Sequence, residues 1–149
     1  MTVSKSGRIV SVNISDRKGE KKRNVSEVRI ITGHGIEGDA HAGCDPIREI
    51  SILSMESIGK IREKGLDVRQ GDFGENITVE GLEVYTLPIG TLLKVGEVLL
   101  EVTKIGKECK DRCAIFQQVG DCVMPREGIF VKSLTSGILK PGDEIVVEG

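Results

Sequence analysis

The sequence QGDFGENITVEGL, Gln70–Leu82, is the stretch that decides the fold. Gly71 and Gly74 give its first half the backbone freedom that a tight loop requires. The loop runs directly into Asn76–Val79, where apolar and polar residues alternate with the period of a half-buried β-strand. The stretch therefore predicts a glycine-punctuated loop that feeds a strand.

Short strand patterns recur on both sides of this stretch, separated by turns rich in glycine. In each of them the apolar residues alternate with polar ones or form a brief apolar run. We predict strands at Gly7–Ile14, Val25–Ile31, Ile47–Leu53, Leu92–Val95, Val98–Ile105, Gly128–Leu134 and Glu144–Val147. Many short strands favour a strongly bent sheet that closes into a small β-barrel, because closure removes the exposed edges.

One segment carries clear helical signals. Ser54 can cap a helix that runs to about Lys64, before Gly65 ends it. A second helix or helical turn is predicted at Cys109–Val119. The predicted fold class is therefore mainly β with one or two helices, and residues 1–149 are long enough for a single domain of ordinary size.

Composition and charge exclude several classes of protein. The formal net charge is -2 with scattered signs, whereas a nucleic-acid-binding protein shows a clustered basic face. The basic run RKGEKKR, Arg17–Arg23, is predicted to be a solvated loop between two strands, with an anion- or nucleic-acid-binding role as the alternative. No apolar run approaches the roughly 20 residues that span a bilayer, and the N-terminus lacks the apolar region of a signal peptide. We expect a cytoplasmic protein with neither a nucleic-acid nor a membrane partner.

Three of the four cysteines lie in the sequence KECKDRCAIFQQVGDC, and we call residues 107–126 the cysteine segment. It holds Cys109, Cys113 and Cys122 together with the cations Lys107, Lys110 and Arg112. Neighbouring cations favour the thiolate, which is the form that attacks electrophiles, carries sulfur or binds metal. In a reducing compartment we expect these thiols to be reactive or metal-binding, with a buried structural thiol as the alternative.

Three blocks of the chain, in this order, resemble the MOSC domain, the module named for the C-terminal part of molybdenum cofactor sulfurase. They are GIEGDAHAG at Gly35–Gly43 followed by REISILS, then GDFGENITVEGL at Gly71–Leu82, then the cysteine segment leading to GIFVKSLTSGILKPGDEIVV. Together these blocks cover nearly the whole chain. The resemblance implies a β-rich, barrel-like fold and a role in handling sulfur or binding the molybdenum cofactor.

The resemblance assigns the chemistry to Cys113. By position this residue matches the functional cysteine of the family, which is thought to carry sulfur as a persulfide or to approach the molybdenum directly. The expected function is a sulfur carrier or transfer domain that binds a molybdopterin-type ligand. A separate cysteine desulfurase is the expected sulfur donor, because this chain is too short to contain the pyridoxal-phosphate-dependent enzyme of the sulfurases; no pyridoxal phosphate is expected on it. Molybdenum-cofactor biosynthesis proteins or molybdoenzymes are the other expected partners.

Several residues are candidates for contact with the cofactor. Asn76, preceded by Gly74 and Glu75, carries hydrogen-bonding groups that suit a pterin edge, and the glycine lets backbone amides approach a phosphate. Arg48 and Arg126 are the best side chains for a bidentate phosphate clamp, each with a surface charge as the alternative.

Two further candidates come from the second loop and from the cysteine segment. His41 follows Asp39 by two residues, so that the carboxylate could orient the imidazole for proton transfer or ligand contact. A loop histidine bonded to a backbone carbonyl is the alternative. Arg112 directly precedes Cys113 and is counted with the cofactor-binding residues.

Other functions stay open. The chain could be a molybdenum-cofactor-dependent reductase of N-hydroxylated compounds, with Cys113 as a molybdenum ligand. Cys109 and Cys113 lie four residues apart and could share a helix face, so they are also candidate metal ligands. A zinc held there would make the chain a non-catalytic interaction module. The sequence contains no P-loop, no GxGxxG that opens a helix and no GxSxG elbow, which argues against nucleotide-dependent and serine-hydrolase functions.

Overall fold

The computed structural model describes residues 5–16, 22–40, 42–43, 47–106 and 127–148. These ranges contain eleven strands, one α-helix and a 3₁₀ turn at Val84–Thr86. The helix is α1 (Met55–Arg62). The strands are β1 (Ser6–Ile14), β2 (Arg23–Val25), β3 (Val28–Ile31), β4 (Gly35–Ile36), β5 (Ile50–Ser54), β6 (Ile77–Glu80), β7 (Leu92–Val95), β8 (Val98–Ile105), β9 (Ile129–Ser133), β10 (Gly137–Leu139) and β11 (Glu144–Val147).

Seven of these strands form a closed barrel in the order β11-β7-β8-β9-β5-β6-β1, which the pairing of β1 with β11 completes. All neighbours in the barrel are antiparallel except β5 and β6, which run parallel. The short β2 pairs with β1 outside the ring, and β10, β3 and β4 form a separate three-stranded sheet. Closure leaves the barrel strands without a free edge, and the predicted mainly β, barrel-like fold is confirmed.

The interior of the barrel is filled by aliphatic side chains, as the shortage of aromatic residues requires. Its buried cluster draws on every barrel strand and consists of Ile, Val and Leu, which suit the pleated surface of a sheet. A second, smaller cluster lies under α1 and is formed by Leu53, Ile58, Ile61, Val68 and Phe73. The helix therefore covers one part of the barrel instead of belonging to a separate layer.

The predicted helix is confirmed together with its cap. The Ser54 hydroxyl accepts a hydrogen bond from the backbone N–H of Ser57, which satisfies one of the free donors of the first turn. The helix ends by Arg62, and Gly65 follows with a φ of +94°. Among the described residues, no helix is long and apolar enough to cross a membrane.

Three predictions about the strands need correction. Val25–Ile31 is not one strand: it divides into β2 and β3, which belong to different sheets. The strand predicted at Ile47–Leu53 begins only at Ile50. The basic run is not wholly solvated, because Lys22 is buried with its side chain 0% exposed. The helix predicted at Cys109–Val119 lies outside the described residues.

The strand registers place two sets of loops at opposite ends of the barrel. β5 runs antiparallel to β9, with Ile50 opposite Val131 and Ile52 opposite Ile129. The end of β5, the start of α1 and the start of β9 therefore lie together, and we call this the helix end. We call the end of β9 together with the start of β5 the loop end, where Gly33 of the glycine-rich loop at 32–43 bonds to Ser133. The loop at 70–76 instead enters β6 level with the middle of β5, because Ile77 and Ile129 both pair with Ile52.

Candidate functional site

The cysteine segment leaves the barrel and returns to it at one place on the helix end. Ile105, at the end of β8, pairs with Ile129, at the start of β9. The backbone N–H of Gly106 donates to the carbonyl of Gly128 at 2.6 Å, which closes the ladder directly below the segment. We call Ile105, Gly106, Glu127, Gly128 and Ile129 the segment base.

A side-chain network ties the C-terminal side of the segment base to α1. The Glu127 carboxylate, only 10% exposed, accepts hydrogen bonds from the Ser57 hydroxyl at 2.6 Å and from the Lys60 ammonium at 2.9 Å on both oxygens. Lys60 also lies 5.5 Å from the centre of the Tyr85 ring, within the range of a cation–π contact. The hydrogen bond with Glu127 is the main cause that raises the pKa of Lys60 above its ordinary value.

A β-bulge next to the segment base brings the chain around Arg48 to it. The register of β8 against β9 shifts between Val102 and Lys104, so that Thr103 is the extra residue. Its hydroxyl donates to the carbonyl of Ile47 at 2.7 Å. Bulges re-aim side chains and are common next to functional sites. Arg48, a predicted phosphate ligand, is therefore held on the side of β8 from which the cysteine segment starts.

The GDFGEN loop, residues 71–76, has a different character because its polar side chains are buried and bonded within the protein. Asn76 is 1% exposed. Its side-chain oxygen accepts from the backbone N–H of Ser51 at 3.0 Å, and its side-chain amide donates to the carbonyl of Asn13 at 3.2 Å. These bonds join β1, β5 and β6, so that Asn76 holds three barrel strands together.

Glu75 is 0% exposed and belongs to the same buried network. Its carboxylate accepts from the backbone N–H of Phe73 at 3.3 Å and from the hydroxyl of Thr78 at 2.8 Å. Loss of hydration raises the pKa of Glu75 from 4.5 to about 7, and these hydrogen bonds oppose the shift only in part. With their side chains enclosed in this way, Glu75 and Asn76 present no surface to a ligand.

Glycine is required at Gly71 for a steric reason. Its φ is +94°, and a Cβ there would lie 2.2 Å from the carbonyl oxygen of Lys22. The backbone N–H of Lys22 donates to the carbonyl of Gly71 at 2.9 Å, so the two backbones are in direct contact. Gly74 also has positive φ, at 77°, and its carbonyl accepts from the Ser51 hydroxyl at 3.2 Å.

The glycine loop at 32–43 is anchored by a buried ion pair. The ammonium of Lys22 lies 2.8 Å from the Asp39 carboxylate, with side-chain exposures of 0% and 1%. Ser15 completes the cluster, because its hydroxyl accepts from Lys22 and its backbone N–H donates to Asp39. The carboxylate of Asp39, which was a candidate to orient His41, is thus bonded to Lys22 and Ser15. His41 itself lies outside the described residues.

A surface cleft of about 750 Å³ opens between β1, β6 and the start of α1. Its ionic lining consists of the carboxylates of Glu56, Glu80 and Glu144 and the guanidinium of Arg8. Three acidic groups against one basic group make this cleft unsuited to a phosphate.

The predicted site residues thus divide into three groups. Arg48 follows Ile47, whose carbonyl is bonded to Thr103 of β8, whereas Gly74, Glu75 and Asn76 belong to the GDFGEN loop, which is bonded to β5 through Ser51. The remaining candidates lie outside the described residues: His41, Cys109, Arg112, Cys113 and Arg126. Within the described ranges, no group of three or more His, Cys, Asp or Glu side chains is placed to hold a metal ion.

Two features of the site were missed in the sequence. The bulge at Thr103 has no sequence signal, because any residue can occupy it. The pairing of Glu127 with Lys60 joins residues that are distant in the chain. The apolar positions on both sides of residues 107–126 did predict two strands, and recognising those strands as a pair would have located the segment base.

The protein is a small closed β-barrel, and its cysteine segment lies in the sequence between two strands that pair with each other. These two features define its class. Comparison with known proteins then gives the family. The family model of the MOSC domain matches residues 38–146, and the chain belongs to this family. The MOSC domain is associated with molybdenum cofactor-related proteins. No curated protein matches the chain significantly.

Several solved structures share this fold. The YUAD protein from Bacillus subtilis superposes with a TM-score of 0.82 at 20% identity, covering 99% of this chain and 98% of that one. YiiM from Geobacillus stearothermophilus gives 0.71 at 21% identity, covering 96% and 75%. YiiM from Escherichia coli gives 0.65 at 20% identity, covering 95% and 70%. At these identities the likeness establishes the fold alone.

Proposed function

We propose that the protein is a sulfur carrier or transfer domain that serves the molybdenum cofactor, with Cys113 as the residue that accepts the sulfur. The segment base is the observation that carries the proposal. In a closed barrel of the MOSC family, a 2.6 Å backbone hydrogen bond joins Gly106 and Gly128, which flank the cysteine-rich segment in the sequence. Rigid support of this kind is what a transfer reaction needs in order to align two sulfur atoms.

The proposed reaction is thiol–persulfide exchange. The Cys113 thiolate attacks the outer sulfur of a persulfide on a cysteine desulfurase, the donor S–S bond breaks, and the donor cysteine leaves as a thiolate. Cys113 then carries the persulfide, and the reaction requires no further oxidant or reductant. The cations Lys107, Lys110 and Arg112 in the same segment favour the attacking thiolate.

The residues present are compatible with an anionic, phosphate-bearing cofactor next to the segment. The Thr103 contact fixes the carbonyl of Ile47, the neighbour of Arg48 in the chain, and a guanidinium can bind a phosphate through two parallel hydrogen bonds. Arg112 and Arg126 of the cysteine segment would supply further positive charge, and His41 a proton donor or acceptor. The cofactor would bring the molybdenum that accepts the sulfur. Gly74, Glu75 and Asn76 would act by supporting the barrel, because their polar groups serve other protein groups.

The proposal is tested by intact mass. The wild type and Cys113→Ser are incubated with a cysteine desulfurase and free cysteine, weighed, and weighed again after treatment with a thiol reductant. We expect the wild type to gain sulfur that the reductant removes and the variant to gain none. Equal gains in both proteins would move the role to another cysteine, and no gain in either would refute sulfur carriage.

Metal analysis of the same preparations separates the alternatives. A molybdenum cofactor that copurifies in equal amount with the protein would support the reductase function. Stoichiometric zinc would support the non-catalytic module. A carrier is expected to load sulfur with no bound metal.

A further inference from the structure

We propose that Glu127 is a positioning residue that, through Ser57 and Lys60, sets how the cysteine segment is presented to its protein partner. This inference rests on the proposed function, because it concerns transfer of sulfur to that segment. Glu127 lies directly after Arg126, the last residue of the segment. Its carboxylate is therefore the first side-chain anchor that the returning chain meets in the described part of the structure.

The geometry of the anchor is well defined. Glu127 receives three hydrogen bonds, one from Ser57 at 2.6 Å and two from Lys60 at 2.9 Å. Ser57 is itself fixed, since its hydroxyl and that of Ser54 lie 2.9 Å apart and its backbone N–H is bonded to the Ser54 cap. The anchor on α1 is thus a rigid helix turn, and a carboxylate held by three donors has little freedom to rotate.

We expect the pair of Glu127 and Lys60 to affect the position of the cysteine segment more than the free energy of unfolding of the protein. The side chain of Lys60 is 50% exposed, and pairs between such partly solvated groups contribute little to the free energy of unfolding. The same pair nevertheless ties the C-terminal side of the segment base to α1, in addition to the pairing of β8 with β9 and the backbone bond between Gly106 and Gly128. Loss of the pair should loosen the segment while leaving the barrel folded.

The experiment compares Lys60→Met and Glu127→Gln with a matched control, Lys132→Met. Lys132 forms a similar partly exposed pair with Glu101, at 3.6 Å between the body of β9 and β8, away from α1. Lys60→Arg should behave as the wild type, because arginine keeps the positive charge and the hydrogen-bond donors that face Glu127. Three quantities are measured: the melting temperature, the rate of tryptic cleavage within residues 107–126, and the rate of sulfur uptake from a cysteine desulfurase.

We expect trypsin to cleave Lys60→Met and Glu127→Gln about tenfold faster within the segment. Both variants should also take up sulfur from the desulfurase about tenfold more slowly, because a small misplacement of the reacting atoms greatly slows a transfer reaction. Uptake from a small polysulfide, which needs no docking, should stay near the wild-type rate. Lys132→Met and Lys60→Arg should behave as wild type in every assay, and Lys60→Met should melt at nearly the wild-type temperature.

The outcomes separate the two proposals. Unchanged segment cleavage in both anchor variants would overturn the role of Glu127, whatever the wild type does with sulfur. Equal losses in Lys132→Met would overturn it as well, because any salt bridge would then have the same effect. Faster cleavage, together with a wild type that takes up no sulfur, would keep the anchor and refute the proposed function.

Discussion

The GDFGEN loop and the segment base are both marked by glycines and polar residues, yet they use them in opposite ways. In the loop, Glu75 and Asn76 are buried and each hydrogen-bonded within the protein, so the polar groups are used inside the fold. At the segment base, the polar contacts hold the two ends of a cysteine-rich segment together. The GDFGEN loop therefore builds the barrel, whereas the proposed chemistry belongs to the cysteine segment.

This division has a physical basis. A buried polar network must satisfy all its donors and acceptors, so each member depends on the others and few substitutions are tolerated. A reactive segment needs only a fixed base and an accessible thiol. A short motif can thus be highly specific for a fold without touching a ligand.

The largest expected effect is that of Gly71→Ala in the GDFGEN loop. The new Cβ would lie 2.2 Å from the carbonyl oxygen of Lys22, which is backbone and cannot move aside. We expect a loss of about 4 kcal/mol or more in the free energy of unfolding, measured by urea denaturation. Gly90→Ala is the matched control, because Gly90 has the same φ of +94° with nothing within 4 Å of its Cβ. Gly90→Ala should lose only about 1 to 2 kcal/mol of unfolding free energy. Equal losses in Gly71→Ala and Gly90→Ala would refute the steric argument.

Glu75→Gln should remove a pH dependence that burial creates. The folded-state pKa of about 7 lies above the unfolded value of 4.5, so between these pH values the folded protein holds a proton that the unfolded chain has released. Stability from this group is complete below pH 4.5 and is lost as the pH rises towards and through 7.

The size of this dependence follows from the shift. Relative to Glu75→Gln, the wild type should lose at most about 3 kcal/mol of unfolding free energy as the pH rises from 4.5 to about 7. The loss is measured by urea denaturation at several pH values. A difference that does not vary with pH would show that Glu75 titrates at its ordinary value and that the loop is hydrated.

Asn76→Ala should be destabilising because it leaves the backbone N–H of Ser51 and the carbonyl of Asn13 without their side-chain partner. We expect a loss of about 2 to 3 kcal/mol. Asn24→Ala is a graded control, since Asn24 is exposed and joins the same network from outside through Asn13. It should lose about 1 kcal/mol, and a larger loss there would place the centre of the network elsewhere.

The smallest effect on stability is expected for Thr103→Val, which keeps the shape of the bulged residue and removes its hydrogen bond to Ile47. The unfolding free energy should change by about 1 kcal/mol or less. If this contact holds Arg48 beside the cysteine segment, binding of a phosphate-bearing pterin should weaken, as followed by calorimetry. Unchanged binding would remove Arg48 from the site.

The sequence predicted the parts of the fold that depend on local patterns. Alternation placed most of the barrel strands, and the Ser54 cap located the helix, because these signals lie within a few adjacent residues. Burial of Lys22 was missed since a lysine in a basic run looks solvated until the fold brings Asp39 to it. Val25–Ile31 was taken as one strand because its apolar pattern does not show that two sheets share it.

The candidate site could be predicted only in part, because the sequence shows residue types but not the contacts between distant residues. Arg48 was chosen for its chemistry, and only the contact between Thr103 and Ile47 sets it near the segment base. Glu75 and Asn76 were chosen as ligands because their side chains carry the right groups, whereas burial turns those groups inward. Chemistry can be judged from residue types, but accessibility depends on contacts between distant parts of the chain.

The most direct test of this division is the amount of reductant-sensitive sulfur gained per folded molecule by Asn76→Ala and by Cys113→Ser, measured by intact mass after incubation with a cysteine desulfurase. The account predicts that Asn76→Ala, although less stable, gains sulfur as the wild type does, and that Cys113→Ser, although stable, gains none. Loss of uptake in folded Asn76→Ala with normal uptake in Cys113→Ser would contradict it and would place the chemistry in the GDFGEN loop.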